Sequence, residues 1–147
     1  VLKSYSGIDV QEFEGAGAAG GIGAGLLALC KAELVSGFNM LSDITNLSHA
    51  IASSDLIISG EGKIDASSFQ GKVVGGISKL AEEWNKPLVL VCGSVDIETY
   101  NLRQQHIPIF SMMTYARDLD DAIANAEEYL VKCCELMAEY IRGKWMV

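Results

Sequence analysis

Between residues 59 and 72 the sequence SGEGKIDASSFQGK gathers two carboxylates, two lysines, three serines and three glycines in fourteen positions. Phosphoryl transfer draws on these residue types. Carboxylates such as Glu61 and Asp65 hold Mg²⁺ or take a hydroxyl proton, a lysine such as Lys63 or Lys72 meets phosphate charge, and glycine N–H groups reach anionic oxygens. Ser67 and Ser68 add hydroxyls. A solvated loop after a strand would hold the same types, so composition alone leaves both readings open. The segment is not a Walker A loop. Ala66 stands where the first glycine before Gly71-Lys72 belongs, and Val73 replaces the required Ser or Thr.

A second candidate is the run GAGAAGGIGAG at 15–25. Gly15, Gly17 and Gly20 fit G-x-G-x-x-G by letter, but the preceding DVQEFE is too polar for the central strand that a dinucleotide turn requires. Two readings of the run stand side by side. Glycine-rich backbone at a helix N-terminus exposes N–H groups and a partial positive charge to an anion. Small residues equally allow tight helix packing. Glu14, just ahead of the run, argues against a phosphate there unless a cation intervenes. His49 and His106 have no Ser, Cys or acidic partner at a recognisable spacing and read as structural or surface residues. Cys30, Cys92, Cys133 and Cys134 lack zinc-site spacing and read as buried thiols in a reducing compartment.

Alternating strands and helices must position these groups. Leu56, Ile57 and Ile58 form a short buried strand, and residues 60–72 follow as a loop at its carboxyl end. Val73, Val74, Ile77, Leu80, Ala81 and Trp84 recur at helical spacing, with Asn85 and Pro87 as the stop. The segment 87–93 is a second strand without polar alternation, as a parallel strand covered on both faces requires. A short helix over 97–105 and a third strand over 107–113 follow. Asp118 then caps one long helix with the stripe Leu119, Ile123, Ala126, Leu130, Cys133, Met137 and Ile141. Upstream, Ile22, Leu26, Leu29 and Cys30 mark a helix, and Ser42 and Asp43 read as caps before the first strand. The order predicts an α/β fold, a parallel Rossmann-like sheet with helices on both faces and ligands at the carboxyl ends of its strands.

With 147 residues, half of them hydrophobic and 20% charged, the chain is long enough for one core and too apolar to be disordered. A formal charge of −8, without any basic cluster, excludes nucleic acid and anionic membranes as expected partners. No apolar run approaches the roughly 20 residues that cross a bilayer, and no signal peptide is evident, so a cytoplasmic location is expected.

Three blocks, GAGAAGGIGAGLLA, LIISGEGKIDASSFQGKVVGGISKLA and PLVLVCGSV, fall in the order and spacing of the bacterial glycerate kinase family, which the chain resembles over nearly its whole length. Asp65, Ser68, Gly71 and Lys72 agree with the family pattern, while Glu14 stands in place of a common proline and Ser67 in place of a common glutamine. The resemblance implies a two-domain α/β kinase that moves the ATP γ-phosphoryl group to D-glycerate with Mg²⁺, giving 2-phosphoglycerate. It implies Glu61, Asp65 and Lys72 as catalytic residues, with Asp65 as metal ligand. It implies Gly17, Ala18, Gly20, Gly21, Gly60, Gly62, Ser67, Ser68 and Gly71 as binders of substrate or phosphate. The family's upstream Asp-Ser-Phe-Lys-Gly and Pro-Gln-Lys-Gly segments are missing. The expectation is therefore a C-terminal part, inactive without the N-terminal part, in which 1–50 contributes to one domain and 51–147 to a Rossmann-like one. The alternative is a non-catalytic α/β module that binds a small anion or mediates assembly.

Overall fold

A computed structural model describes residues 1–69, 71–96 and 107–145, which fall into two compact units, Val1–Met40 and Leu41–Val147. In the first unit, helix α1 (Leu2–Ser6) and a 3₁₀ turn (Val10–Glu12) lead into helix α2 (Ala18–Cys30). No strand precedes Gly15, which removes the dinucleotide reading of the G-x-G-x-x-G match. The face α2 buries is Gly23, Leu27 and Ala28. This corrects the expected stripe, because Ile22, Leu26 and Leu29 are exposed.

Helix α3 (Gly37–Thr45) carries the chain into the second unit, where α4 (Leu47–Ala52) follows a left-handed Asn46. Ser42 and Asp43 lie inside α3 and do not cap it. The sheet has three parallel strands in the order β1 (Ile57–Ile64), β2 (Leu88–Val95) and β3 (Ile109–Ser111). Between β1 and β2 runs α5 (Val73–Glu83), stopped where expected by Asn85 in the left-handed region. The short helix expected over 97–105 lies outside the described residues. The third strand is shorter than expected, since Met112–Thr114 turns into a 3₁₀ helix that Ser111 caps through Met113 N–H.

Strand β2 is buried at Leu88, Val89 and Leu90 in succession, as its unbroken apolar run requires of a central parallel strand. On one face Leu88, Leu90 and Cys92 join Ile57, Val74, Ala81, Ile51 and Ile107 in the main core. Each fully buried aliphatic side chain there contributes about 1.5–3 kcal/mol. Trp84 Nε1 donates to Ser48 Oγ at 3.0 Å and ties α5 to α4. On the other face Phe110, the register partner of Val91, meets Tyr140 edge to face at 5.7 Å between ring centroids. No described helix is long and apolar enough to cross a membrane.

The long C-terminal helix is two: α6 (Leu119–Ala124) and α7 (Ala126–Trp145), broken at Asn125. The expected stripe holds at Cys133 and Met137, whereas Leu119, Ile123 and Leu130 are exposed. The buried carboxylate of Asp121 makes the break. It accepts from Arg117 N–H at 2.9 Å, Asn125 Nδ2 at 2.9 Å, Tyr129 O–H at 3.1 Å and the Arg117 guanidinium at 3.3 Å. Its own N–H donates to Asp118 Oδ1 at 2.8 Å. The Arg117 backbone N–H is the largest of several causes that hold the Asp121 carboxyl down at about 2, against an ordinary 3.8. A depressed folded value means that the stabilisation is complete above the ordinary carboxyl range and drains away as pH falls toward 2. Asp121→Asn is therefore expected to lower the melting temperature by several degrees at pH 7. In melts from pH 6 to pH 2.5 the gap to the parent should narrow as pH falls, and a gap constant with pH would contradict this account.

Candidate functional site

Strand β1 does not end at Ser59. It continues through Gly60, Glu61, Gly62 and Lys63 to Ile64, so the first half of the expected loop is strand. The reason is steric. A Cβ on Gly60 would stand 2.3 Å from the Val91 carbonyl oxygen, and one on Gly93 would stand 2.5 Å from the Gly62 carbonyl oxygen. Glycine at 60 and 93 lets the two backbones run this close, and the register continues to Ile64 opposite Val95. Ile64, almost fully buried, anchors the strand end in the core.

Glu61 faces the same side as its register partner Cys92, the side α5 covers. Glu61 Oε1 lies 3.3 Å from Lys72 Nζ, and its Oε2 is buried without a hydrogen-bond partner among the described residues. Lys72 occupies the N-cap of α5, preceded by Gly71 at φ +76, a left-handed turn that favours glycine. The backbone of Lys72 thus stands at the positive end of α5, while its ammonium group is held at Glu61. Burial pushes the Cys92 thiol up to about 11, which makes it a core group and no nucleophile. Cys133 is likewise buried, whereas Cys30 and Cys134 are exposed, contrary to the expectation for all four.

After Ile64 the chain turns through a 3₁₀ helix, Ala66–Phe69, built as a reciprocal cap. Asp65 Oδ1 accepts from Ser67 N–H at 2.9 Å and Ser67 O–H at 2.6 Å. In return Ser68 Oγ accepts from Asp65 N–H at 3.1 Å, and Ser68 N–H donates to the Asp65 carbonyl at 3.0 Å. The Ser67 hydroxyl, more than the lysines nearby, holds the Asp65 carboxyl below its usual range and keeps it ionised. Both of those side-chain bonds fall on Oδ1, and no cluster of three metal-ligating side chains exists among the described residues. One ionised carboxylate fits a cation that brings most of its ligands with it, as Mg²⁺ does with nucleotide phosphates and water.

Asp65, Ser67, Ser68, Gly71 and Lys72 therefore share the β1 to α5 connection, while Gly60, Glu61 and Gly62 lie within β1 itself. Gly17, Ala18, Gly20 and Gly21 belong to the first unit. There Ala19, Gly20 and Gly21 all have positive φ, so α2 is right-handed only from Ile22 onward. Left-handed geometry at Ala19 costs about 1–2 kcal/mol. Gly23 fits the packing reading of the run: its Cβ would stand 3.3 Å from the Gly15 carbonyl oxygen. Sequence reasoning missed Gly75 in α5, where a Cβ would stand 2.7 Å from Phe69 Cα and 2.9 Å from the Ser68 carbonyl oxygen. The doubled glycine early in a helix was its only signal.

The sequence model of the glycerate kinase family matches residues 1–142. A glycerate 2-kinase of Escherichia coli K12 is 36% identical over 139 residues, covering 94% of this chain and 36% of its own length. A glycerate kinase of Bacillus cereus is 35% identical over 148 residues, covering 100% and 38%. The crystal structure of a protein assigned as glycerate kinase 2 from Salmonella typhimurium LT2 superposes with a TM-score of 0.59 at 28% identity, covering 99% of this chain and 37% of that one. The chain thus spans a little over a third of the length of these relatives.

The two strand glycines separate packing from ligand contact. Gly60→Ala is expected to destabilise the fold by about 1–3 kcal/mol, because a backbone oxygen must move. Gly62→Ala, with nothing within 4 Å of its Cβ and no positive φ, should stay within about 0.5 kcal/mol of the parent in urea titrations. Equal effects at the two positions would refute the steric reading.

Proposed function

Since the chain belongs to the glycerate kinase family, we propose that it carries the phosphoryl-transfer turn of an enzyme that converts D-glycerate and ATP to phosphoglycerate and ADP. The 2-hydroxyl is the acceptor we favour. One observation supports this most. At the carboxyl end of β1, an ionised carboxylate stands on a capped turn a few residues from a lysine that is paired to a half-satisfied glutamate.

In this reading the acceptor hydroxyl donates its hydrogen to the carboxylate of Glu61, through the part of that side chain that stays open to solvent. Lys72 and the N-terminus of α5 attract an anionic oxygen of phosphate or of the glycerate carboxylate. As the acceptor oxygen bonds to the γ-phosphorus, the bond from phosphorus to the β,γ-bridging oxygen breaks, ADP leaves, and the hydroxyl proton passes to the carboxylate. Asp65 is the residue that would hold Mg²⁺, which when bound supplies charge neutralisation on the phosphates. Backbone N–H groups at Gly60, Gly62 and Gly71 complete the proposed donor set of the second unit, while in the first unit the run containing Gly17, Ala18, Gly20 and Gly21 is proposed by itself to offer N–H groups to an anion. Ser67 was expected among the donors, but its O–H is given to Asp65 Oδ1. Ser68 was expected among them, but its hydroxyl points into the turn. The remaining walls of the site come, in this proposal, from polypeptide beyond this segment, so the segment alone folds without transferring phosphate. A cytoplasmic enzyme with access to ATP fits this chemistry.

Asp65→Asn in the complete gene product tests the reading cleanly, because asparagine is as good an N-cap as aspartate and preserves the turn. Turnover is expected to fall about 100-fold or more, with the melting temperature within about 2 °C of the parent. Near-parent turnover would reduce Asp65 to a cap and overturn the proposal.

A further inference from the structure

We propose that Ser68 is a positioning residue for phosphoryl transfer, fixing the backbone from which Asp65 projects; this rests on the role given to Asp65 above. Asp65 is half-buried, and its Oδ1 is held by the N–H and O–H of Ser67 within the same turn. Its direction is therefore set by the backbone at 65. Ser68, with no exposed surface, bridges that backbone through one oxygen: Oγ accepts from Asp65 N–H at 3.1 Å and donates toward the Lys63 carbonyl at 3.4 Å. One hydroxyl thus joins the last turn of β1 to the first residue of the cap.

The other side of the turn is closed by α5. The backbone of Gly75 lies against the Ser68 carbonyl and Phe69, with no room even for a methyl group. The turn is held from within by Ser68 and from without by Gly75. Replacing Ser68 with alanine removes the inner hold and leaves the Asp65 N–H without its acceptor, while α5 and the sheet keep their apolar contacts. A displacement on the order of 1 Å at a reacting group lowers a rate by about 100-fold.

The experiment is steady-state kinetics of the complete gene product with glycerate, ATP and Mg²⁺, on the parent, Ser68→Ala, Asp65→Asn and the double variant. Ser68→Ala is expected to lower kcat about 10- to 100-fold while both KM values stay within about 3-fold. The double variant should be no slower than Asp65→Asn, because Ser68 acts only through Asp65. A loss that multiplies with that of Asp65→Asn, or one carried by KM, assigns Ser68 a general structural role and overturns the inference. If Asp65→Asn is slow while Ser68→Ala turns over at the parent rate, the inference fails and the role of Asp65 stands. If Asp65→Asn itself is parent-like, both fall. Should Ser68→Ala not fold, Ser68→Cys, of similar size but a weak donor and acceptor, reads the same quantities.

Discussion

The close approach of β1 and β2 at their glycines is the constraint on which the rest of the second unit depends. Gly60 against the Val91 carbonyl and Gly93 against the Gly62 carbonyl allow the ladder to continue where propensity would end it. Ordering each further residue costs about 1–2 kcal/mol of backbone entropy. Ladder hydrogen bonds and the burial of Ile64 offset that cost. Because the strand reaches Ile64, Glu61 is fixed on the covered face of a sheet, and Asp65 emerges at a defined point beside the start of α5.

Electrostatics at this point work against the charge of the whole molecule. The chain carries −8, so long-range attraction does not bring an anion to it. What is available is local: Lys72 at the helix N-terminus, held by Glu61. A partly exposed pair of this kind contributes about 0–1 kcal/mol to stability. Among the described residues the buried Oε2 of Glu61 has no hydrogen-bond partner, an arrangement that generally costs about 1–3 kcal/mol. Taken together the pair is a poor stabilising device, and its geometry is better explained by the orientation of a cation than by the fold.

How much of this was legible in the sequence depended on whether a residue's role was set by neighbours along the chain or across the fold. The unbroken apolar run of β2, the α5 stripe and the Asn85 stop depend on local pattern; the first and last appear as read, and the stripe holds at Val74, Ile77, Leu80 and Ala81 while Val73 and Trp84 are exposed. Lys72 meets Glu61 at 3.3 Å across the connection. The continuation of β1 was hidden because glycine, glutamate and lysine are weak strand formers, and the reason for their pairing lies in Val91 and Gly93 on another strand. The break at Asn125 was hidden because the heptad-like spacing of Leu119 to Ile141 is indifferent to one buried carboxylate. In the glycine-rich run, neither reading foresaw left-handed backbone at Ala19, Gly20 and Gly21, since spacing carries no dihedral information. Ser68 was placed among the ligand-facing residues by motif. Only burial shows that its hydroxyl is turned inward.

The contact of Gly75 with Ser68 and Phe69 explains how a half-buried surface carboxylate can be held in place. Val74, the neighbour of Gly75, has no exposed surface and lies in the core with Ile64, Leu90 and Ala81. The helix start is therefore as fixed as the core itself, and the capped turn, pressed against it, inherits that position. A loop held only by its own hydrogen bonds would sample many directions for Asp65, and each would weaken a charge interaction that depends on distance. Here the turn is buried at Ser68 while the Asp65 side chain is only half-buried. Rigid support beneath a carboxylate is what the proposed phosphoryl transfer would require, because in that reaction a protein contributes placement and charge rather than covalent chemistry.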